Sequence, residues 1–246
     1  MRSVFLGAAF AAILFAPPAL ADDQKNISSV RPSTVEGWEG FYAGAHLGYG
    51  HGTVDYRFPI DTYYNVASDV GREFPLSPNG AVGGLHVGHN WQHENWVFGV
   101  EGSYDFSNID NNTTGIVGLF PNDAFKTHFK SLYSITGRAG WAMDKWLFYG
   151  KGGWAGGAFN LHVLSGIPGP GVEVDLKGYL NGWTAGAGVE YMIRPNIILG
   201  LEYNRFDFDG KTLSGQEIPS NGGTLIHANS AVDTILVRLS YRFAIW

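Results

Sequence analysis

Apolar and polar residues alternate one for one along most of this chain, and the last such stretch shows it best. In Asp233–Phe243, Ile235, Val237, Leu239, Tyr241 and Phe243 share one parity, while Thr234, Arg238, Ser240 and Arg242 share the other. Successive strand residues point to opposite faces, so the segment predicts a strand with a greasy side and a charged side. Seven more segments read the same way. Phe41, Ala43, Ala45, Leu47 and Tyr49 oppose Tyr42, Gly44, His46 and Gly48; Leu85, Val87 and Trp91 oppose His86, Gly88 and Asn90. Trp96 to Phe106, Leu132 to Ala142, Trp146 to Phe159, Tyr179 to Arg194 and Asn196 to Phe206 complete the set.

The connections alternate as well. Those at Gln92–Asn95, Met143–Lys145 and around Pro195 are very short; those at roughly 50–79, 107–129, 160–178 and 207–229 are long and hold turn chemistry such as Asn111-Asn112, Gly169-Pro170-Gly171 and Asn221-Gly222-Gly223. Eight amphipathic strands with short turns at one end and four long loops at the other predict an all-β fold, an eight-stranded antiparallel transmembrane β-barrel of meander topology. A soluble barrel would place its apolar parity inside. Three features favour lipid outside: the polar parity is rich in small Gly and Ser, the loops alternate strictly in length, and aromatics gather at strand ends. Trp91, Trp96, Trp141 and Tyr191 mark one belt, and Tyr49, Tyr104, Tyr133 and Trp183 the other.

The N-terminus sets the compartment. Arg2, the apolar run Val4–Phe15 and the small-x-small Ala19-Leu20-Ala21 form a secretory signal peptide over residues 1–21. Residues 22–37 read as a polar periplasmic tail, and 38–246 as the barrel. No later run is apolar enough for a transmembrane helix. The chain has 35 glycines, about twice ordinary usage, which suits strands that bend and approach closely. It has no cysteine, which excludes thiolate chemistry and disulfides. A net charge of −6 without a basic run argues against nucleic acid as a partner.

Charged residues of the inward parity fall at similar depths. In strand order they are His46, His86, Glu101, Arg138, Lys151, Glu190, Glu202 and Arg238, with His86 placed opposite Glu101 across its turn. Neighbouring strands lie about 4.8 Å apart, so Glu101–Arg138, Lys151–Glu190 and Glu202–Arg238 are the expected ion pairs. Three acids against three bases would form a layer that closes the narrow lumen.

Other chemistry is weaker. The three glutamates have no substrate cleft to act as glycosidase acids. Ser103 with His86, or Ser134 with Asp105, lacks the surroundings of a hydrolase, so no catalytic residue and no cofactor is assigned. His86 and His89 point to opposite faces of one strand and cannot share a metal ion without a bulge. His51, His128, His162 and His227 fall one in each long loop and are candidate haem ligands at the cell surface. The glycine run 150–157 lacks the spacing of a phosphate loop.

Several stretches together carry a family resemblance: Gly40-Phe-Tyr-Ala-Gly-Ala-His-Leu-Gly-Tyr49, Gly83-Gly-Leu-His-Val-Gly-His-Asn-Trp-Gln92, Val97-Phe-Gly-Val-Glu-Gly-Ser103, Thr136-Gly-Arg-Ala-Gly-Trp141, Leu147-Phe-Tyr-Gly-Lys-Gly-Gly-Trp154, Trp183-Thr-Ala-Gly-Ala-Gly-Val-Glu-Tyr191 and Leu236-Val-Arg-Leu-Ser-Tyr-Arg-Phe243. In this order they resemble the alphaproteobacterial outer-membrane immunogenic proteins, small OmpA-like barrels of the porin-family type. The resemblance implies a Gram-negative outer-membrane location, antigenic surface loops and a structural role in envelope integrity, with no enzymatic activity. It implies lipid, lipopolysaccharide and the barrel-assembly machinery as partners. Haemin binding by some relatives makes surface ligand binding the alternative function, and a narrow passive channel a third. Family members typically end at the Tyr-x-Phe signature read during assembly; here Ala244-Ile245-Trp246 follow Phe243, so either Phe243 or Trp246 is the terminal aromatic, and no wall-binding domain is recognisable after the barrel.

Overall fold

A computed structural model describes residues 37–57, 73–114, 124–164, 173–214 and 225–243. The segments expected to be signal peptide and tail, all but residue 37, lie outside these, as do residues 58–72, 115–123, 165–172, 215–224 and 244–246. Among the described residues there are nine strands: β1 (Gly40–Arg57), β2 (Glu73–Leu76), β3 (Asn79–His93), β4 (Trp96–Thr114), β5 (Ala124–Met143), β6 (Trp146–Leu164), β7 (Glu173–Arg194), β8 (Ile197–Ser214) and β9 (Leu225–Arg242). All pairings are antiparallel between neighbours, and β9 returns to β1 over Tyr42↔Arg242 to Arg57↔His227. Because β2 and β3 pair with successive parts of β1, they are one barrel strand broken at Ser77-Pro78. Proline has no N–H to give the ladder, and its carbonyl instead accepts from Gly52 N at 2.6 Å. The result is the expected closed eight-stranded barrel.

The strands are longer than the alternation indicated. Residues 50–57, 73–76, 107–114, 124–129, 160–164, 173–178, 207–214 and 225–229 were assigned to the long loops, but they continue the ladders. Asn111-Asn112, read as turn residues, pair with Thr127 and Lys126. The other loop turn signals, at 169–171 and 221–223, fall outside the described residues.

At the opposite end the turns are two residues long. Glu94 and Asp144 take φ of 52° and 53° there, the left-handed region that tight hairpins require. The expected faces hold along β9: Ile235, Val237 and Leu239 are 54–59 % exposed, whereas Thr234, Leu236, Arg238 and Ser240 are at most 4 % exposed. Both aromatic belts lie on the outer face, Trp96 packing edge-on against Trp141 at 5.0 Å and Tyr104 stacking on Tyr133 at 6.4 Å.

The lumen is more layered than a uniformly polar interior. At the short-turn end Trp38, Val97, Ala142, Leu147, Tyr149, Met192 and Ile198 form an apolar cluster. Trp38 is held there by its backbone: its N–H donates to Gln92 Oε1 at 2.5 Å, and its carbonyl accepts from Asn90 Nδ2 at 3.2 Å. At the loop end Val82, Ile109, Phe129, Leu132, Phe206, Phe208, Val232 and others form a second cluster. A bulge at Phe129/Ser131 builds it by reversing the parity of β5, so that Ser131 and Leu132 both turn inward. The charged residues are clamped between these layers.

Candidate functional site

All eight residues assigned to the lumen ring are buried within the barrel: His46, His86, Glu101, Arg138, Lys151, Glu190, Glu202 and Arg238. Strand register explains how such side chains fit. Tyr42, Gly88 and Glu101 stand side by side on three consecutive strands, and so do Tyr149, Gly188 and Glu202 half a barrel away. Each tyrosine crosses the glycine between: Tyr42 OH donates to Glu101 Oε2 at 2.9 Å, and Tyr149 OH to Glu202 Oε2 at 2.5 Å. A Cβ on Gly88 or Gly188 would sit 2.4 or 2.5 Å from the tyrosine hydroxyl, so glycine is required by the close approach.

One arginine joins each half. Arg238 binds Glu202 and Glu101 together, its Nη1 reaching Glu101 Oε1 at 3.1 Å. Arg138 makes a forked bond to Glu190, 3.3 and 2.8 Å, and lies 4.4 Å over the Tyr149 ring. Lys151 Nζ bridges Glu101 at 3.1 Å and Glu202 at 2.8 Å, and Asn204 Nδ2 adds a bond to Glu202 at 3.0 Å.

The pairing therefore differs in part from the neighbour-to-neighbour scheme. Glu202–Arg238 forms. Glu101–Arg138 is only a 3.6 Å contact. Lys151 reaches across to Glu101 and Glu202, and Glu190 is taken by Arg138. An eight-stranded lumen is so narrow that cross-lumen reach is as easy as reach to the next strand. In register Lys151 lies directly opposite Arg138, a like charge, so turning to the acids across the lumen separates the two cations.

His86 is not opposite Glu101; Gly88 is, and His86 faces Ser103. The histidines form their own chain. His46 Nε2 is in very close contact with Asp105 Oδ1, His46 Nδ1 lies 3.1 Å from His86 Nδ1, and His86 Nε2 lies 2.8 Å from Ser240 Oγ. Asp105, Tyr42, Tyr149, Asn204 and Ser240 were missed as network members. Their inward parity was visible, and the Phe-Tyr pair that opens both β1 and β6 was the available signal for the tyrosines. Asp105 makes a fourth buried acid, which corrects the count of three acids against three bases.

The Ser–His pairings considered for hydrolysis are not formed, since Ser103 bonds Ser134 at 2.9 Å and His86 bonds Ser240. His89 turns to the lipid face between Phe41 and Trp91, 4.3 and 4.5 Å away, while His86 stays inside. The four haem candidates lie on strands rather than in loops, His51 on β1, His128 on β5, His162 on β6 and His227 on β9. Register sets His162 two positions from His128, but leaves His51 six positions from His227 along β9.

The sequence relatives agree with this architecture. The outer membrane protein beta-barrel domain model matches residues 6–243. The chain belongs to that family. The 31 kDa outer-membrane immunogenic protein of Brucella melitensis is 28 % identical over 99 % of this chain and all of its own length. Among solved structures, OprG of Pseudomonas aeruginosa is 12 % identical with a TM-score of 0.50, covering 85 % of this chain and 99 % of its own. The outer membrane protease OmpT of Escherichia coli is 11 % identical with a TM-score of 0.53, covering 83 % of this chain and 97 % of its own. At such identities the likeness is one of fold, and the protease activity of OmpT is not carried across. Family and fold place this protein in the Gram-negative outer membrane, in contact with membrane lipid.

Proposed function

We propose that this protein is a non-catalytic structural component of the envelope, a sealed barrel that contributes to outer-membrane integrity and displays loops at the cell surface. The observation that carries the reading is the closure of the lumen at three levels: the Trp38 cluster, the ion network, and the apolar cluster at the loop end. A charged layer packed between two apolar ones supports a lumen without a continuous aqueous path. The naming of relatives as immunogenic outer-membrane proteins is in keeping with surface display. The charged lumen side chains pair with one another, which supports a non-catalytic reading, and assembly machinery and lipopolysaccharide are the partners a barrel of this kind calls for.

Planar-bilayer recording of purified, refolded protein is the test. The reading predicts no steady conductance above lipid background. Large, long-lived open states from the wild-type chain would overturn it in favour of a channel. Haemin titration of the wild-type chain and of His51→Ala and His128→Ala variants covers ligand binding: tight binding lost in the variants would replace the purely structural role.

A further inference from the structure

The two halves of the barrel repeat one design: Tyr42, Gly88, Glu101 and Arg138 on β1, β3, β4 and β5 correspond to Tyr149, Gly188, Glu202 and Arg238 on β6, β7, β8 and β9. The repeat is imperfect: Lys151 and Glu190 stand where the first half has Gly44 and Asn90, and the first half in turn carries a cluster that the second lacks. His46, His86, Asp105 and Ser240 stand where the other seam has Gly153, Gly186, Phe206 and Gly140. The half without the cluster closes without it, so a barrel wall of this design does not need these four groups. They sit at the closing seam, where β9 meets β1 and His46 is in register with Arg238.

Among the described residues the lumen holds four carboxylates, Asp105, Glu101, Glu190 and Glu202, against three permanent cations, Arg138, Lys151 and Arg238, all buried. An uncompensated buried charge is costly, and the histidine pair is the remaining group able to supply the missing positive charge. The contact between the two Nδ1 atoms at 3.1 Å limits how it does so. One of the two nitrogens must donate and the other accept, so the pair holds one extra proton at most. Two would oppose N–H to N–H and break the contact.

We propose that His46 and His86 share one extra buried proton, beyond the one each neutral ring carries, that neutralises the lumen and latches the closing seam. In that state His46 is an imidazolium that donates through Nε2 to Asp105 and through Nδ1 to His86. His86 is neutral and donates through Nε2 to Ser240 Oγ. The charged and titratable groups facing the pair are Tyr42 on β1, Glu101 and Asp105 on β4, Glu202 on β8 and Arg238 on β9. Acidification that adds a second proton sets two imidazoliums beside Arg238, opens the Nδ1–Nδ1 contact and loosens the seam.

The test is nitrogen NMR of histidine-labelled protein in nanodiscs at about pH 7, with resonances assigned by His46→Gln and His86→Gln. The expected spectrum shows His46 protonated on both nitrogens and His86 on Nε2 alone. In Asp105→Asn, which removes the fourth acid with little change of shape, His46 is expected to lose its extra proton. On acidification the assigned pair should show one further protonation step, at His86 and lost in His86→Gln, whatever the other six histidines do. Two neutral rings in the wild-type protein at neutral pH would overturn the proposal, as would an imidazolium that survives Asp105→Asn. If the variants fold poorly, His46 and His86 are assigned instead by sequential backbone correlations in uniformly labelled wild-type protein, and none of these outcomes depends on whether the barrel conducts.

Discussion

Removing the Arg238 guanidinium tests the network at its most connected point. Arg238, Glu101 and Glu202 are each only 2–3 % exposed, and the arginine touches both carboxylates. Arg238→Met keeps most of the volume and deletes the charge. Lys151 then serves Glu101 and Glu202 as their shared cation, with Arg138 3.6 Å from Glu101. Breaking a buried pair from one side costs about 3–5 kcal/mol because it strands the partner's charge, and that is the loss expected here. Adding Glu202→Gln relieves part of the stranded charge, while the amide oxygen still accepts from Lys151. The double variant is therefore expected to regain about 1–3 kcal/mol, the usual coupling for groups in one network. Urea titration of protein folded into lipid vesicles, followed by tryptophan fluorescence and heat-modifiable gel migration, gives the free energies from midpoint and slope. A loss under about 1 kcal/mol for Arg238→Met would refute the network's role, and so would a double variant less stable than the single one.

Other perturbations follow from the same geometry. Gly188→Ala places a methyl against the Tyr149 hydroxyl and is expected to cost about 1–3 kcal/mol in the same assay, partly recovered by Tyr149→Phe. Gly137→Ala, on the lipid face with nothing within 4 Å of the new methyl, is expected to be neutral; equal losses at the two sites would contradict the steric account. Trp38→Ala empties the apolar cluster at the short-turn end and is expected to cost about 3–5 kcal/mol, with a near-zero value indicating that the tryptophan is not packed there in the membrane. Leu239→Arg, on the outer face between the two aromatic belts, is expected to cost about 2–4 kcal/mol, whereas Thr53→Arg near the loop end costs about 0–1 kcal/mol. The reverse order would mean that Leu239 does not meet hydrocarbon.

The barrel was legible because a strand crossing lipid must show one apolar face, and the period-2 pattern records that. Above the membrane the constraint disappears while the backbone ladder continues. Asp110-Asn111-Asn112 therefore looked like a loop and is part of β4. The lumen residues could be found from parity alone, but their partners could not. Parity says that Lys151 points inward; it does not say that its long side chain passes Glu190 to reach Glu101 and Glu202. Asp105 was overlooked because it lies two pleat repeats above Glu101, at the level of His46. The inward Leu132, Phe206 and Val232 were invisible for a related reason: an apolar residue on the polar parity looks like noise until a bulge or a neighbouring cluster gives it a place.

The central claim is that hydrocarbon bathes one face of each strand while a dry network of ions fills the other. Because the chain has no cysteine, single-cysteine nitroxide labels can be placed at successive positions 234–241 of β9 in bilayers. Their collision rates with oxygen and with a water-soluble nickel complex measure this directly. The account predicts high oxygen contact at 235, 237, 239 and 241, and low contact with both reagents at 234, 236, 238 and 240. Nickel reaching the even positions would contradict a sealed lumen, and oxygen contact peaking at the even positions would mean that the faces are reversed.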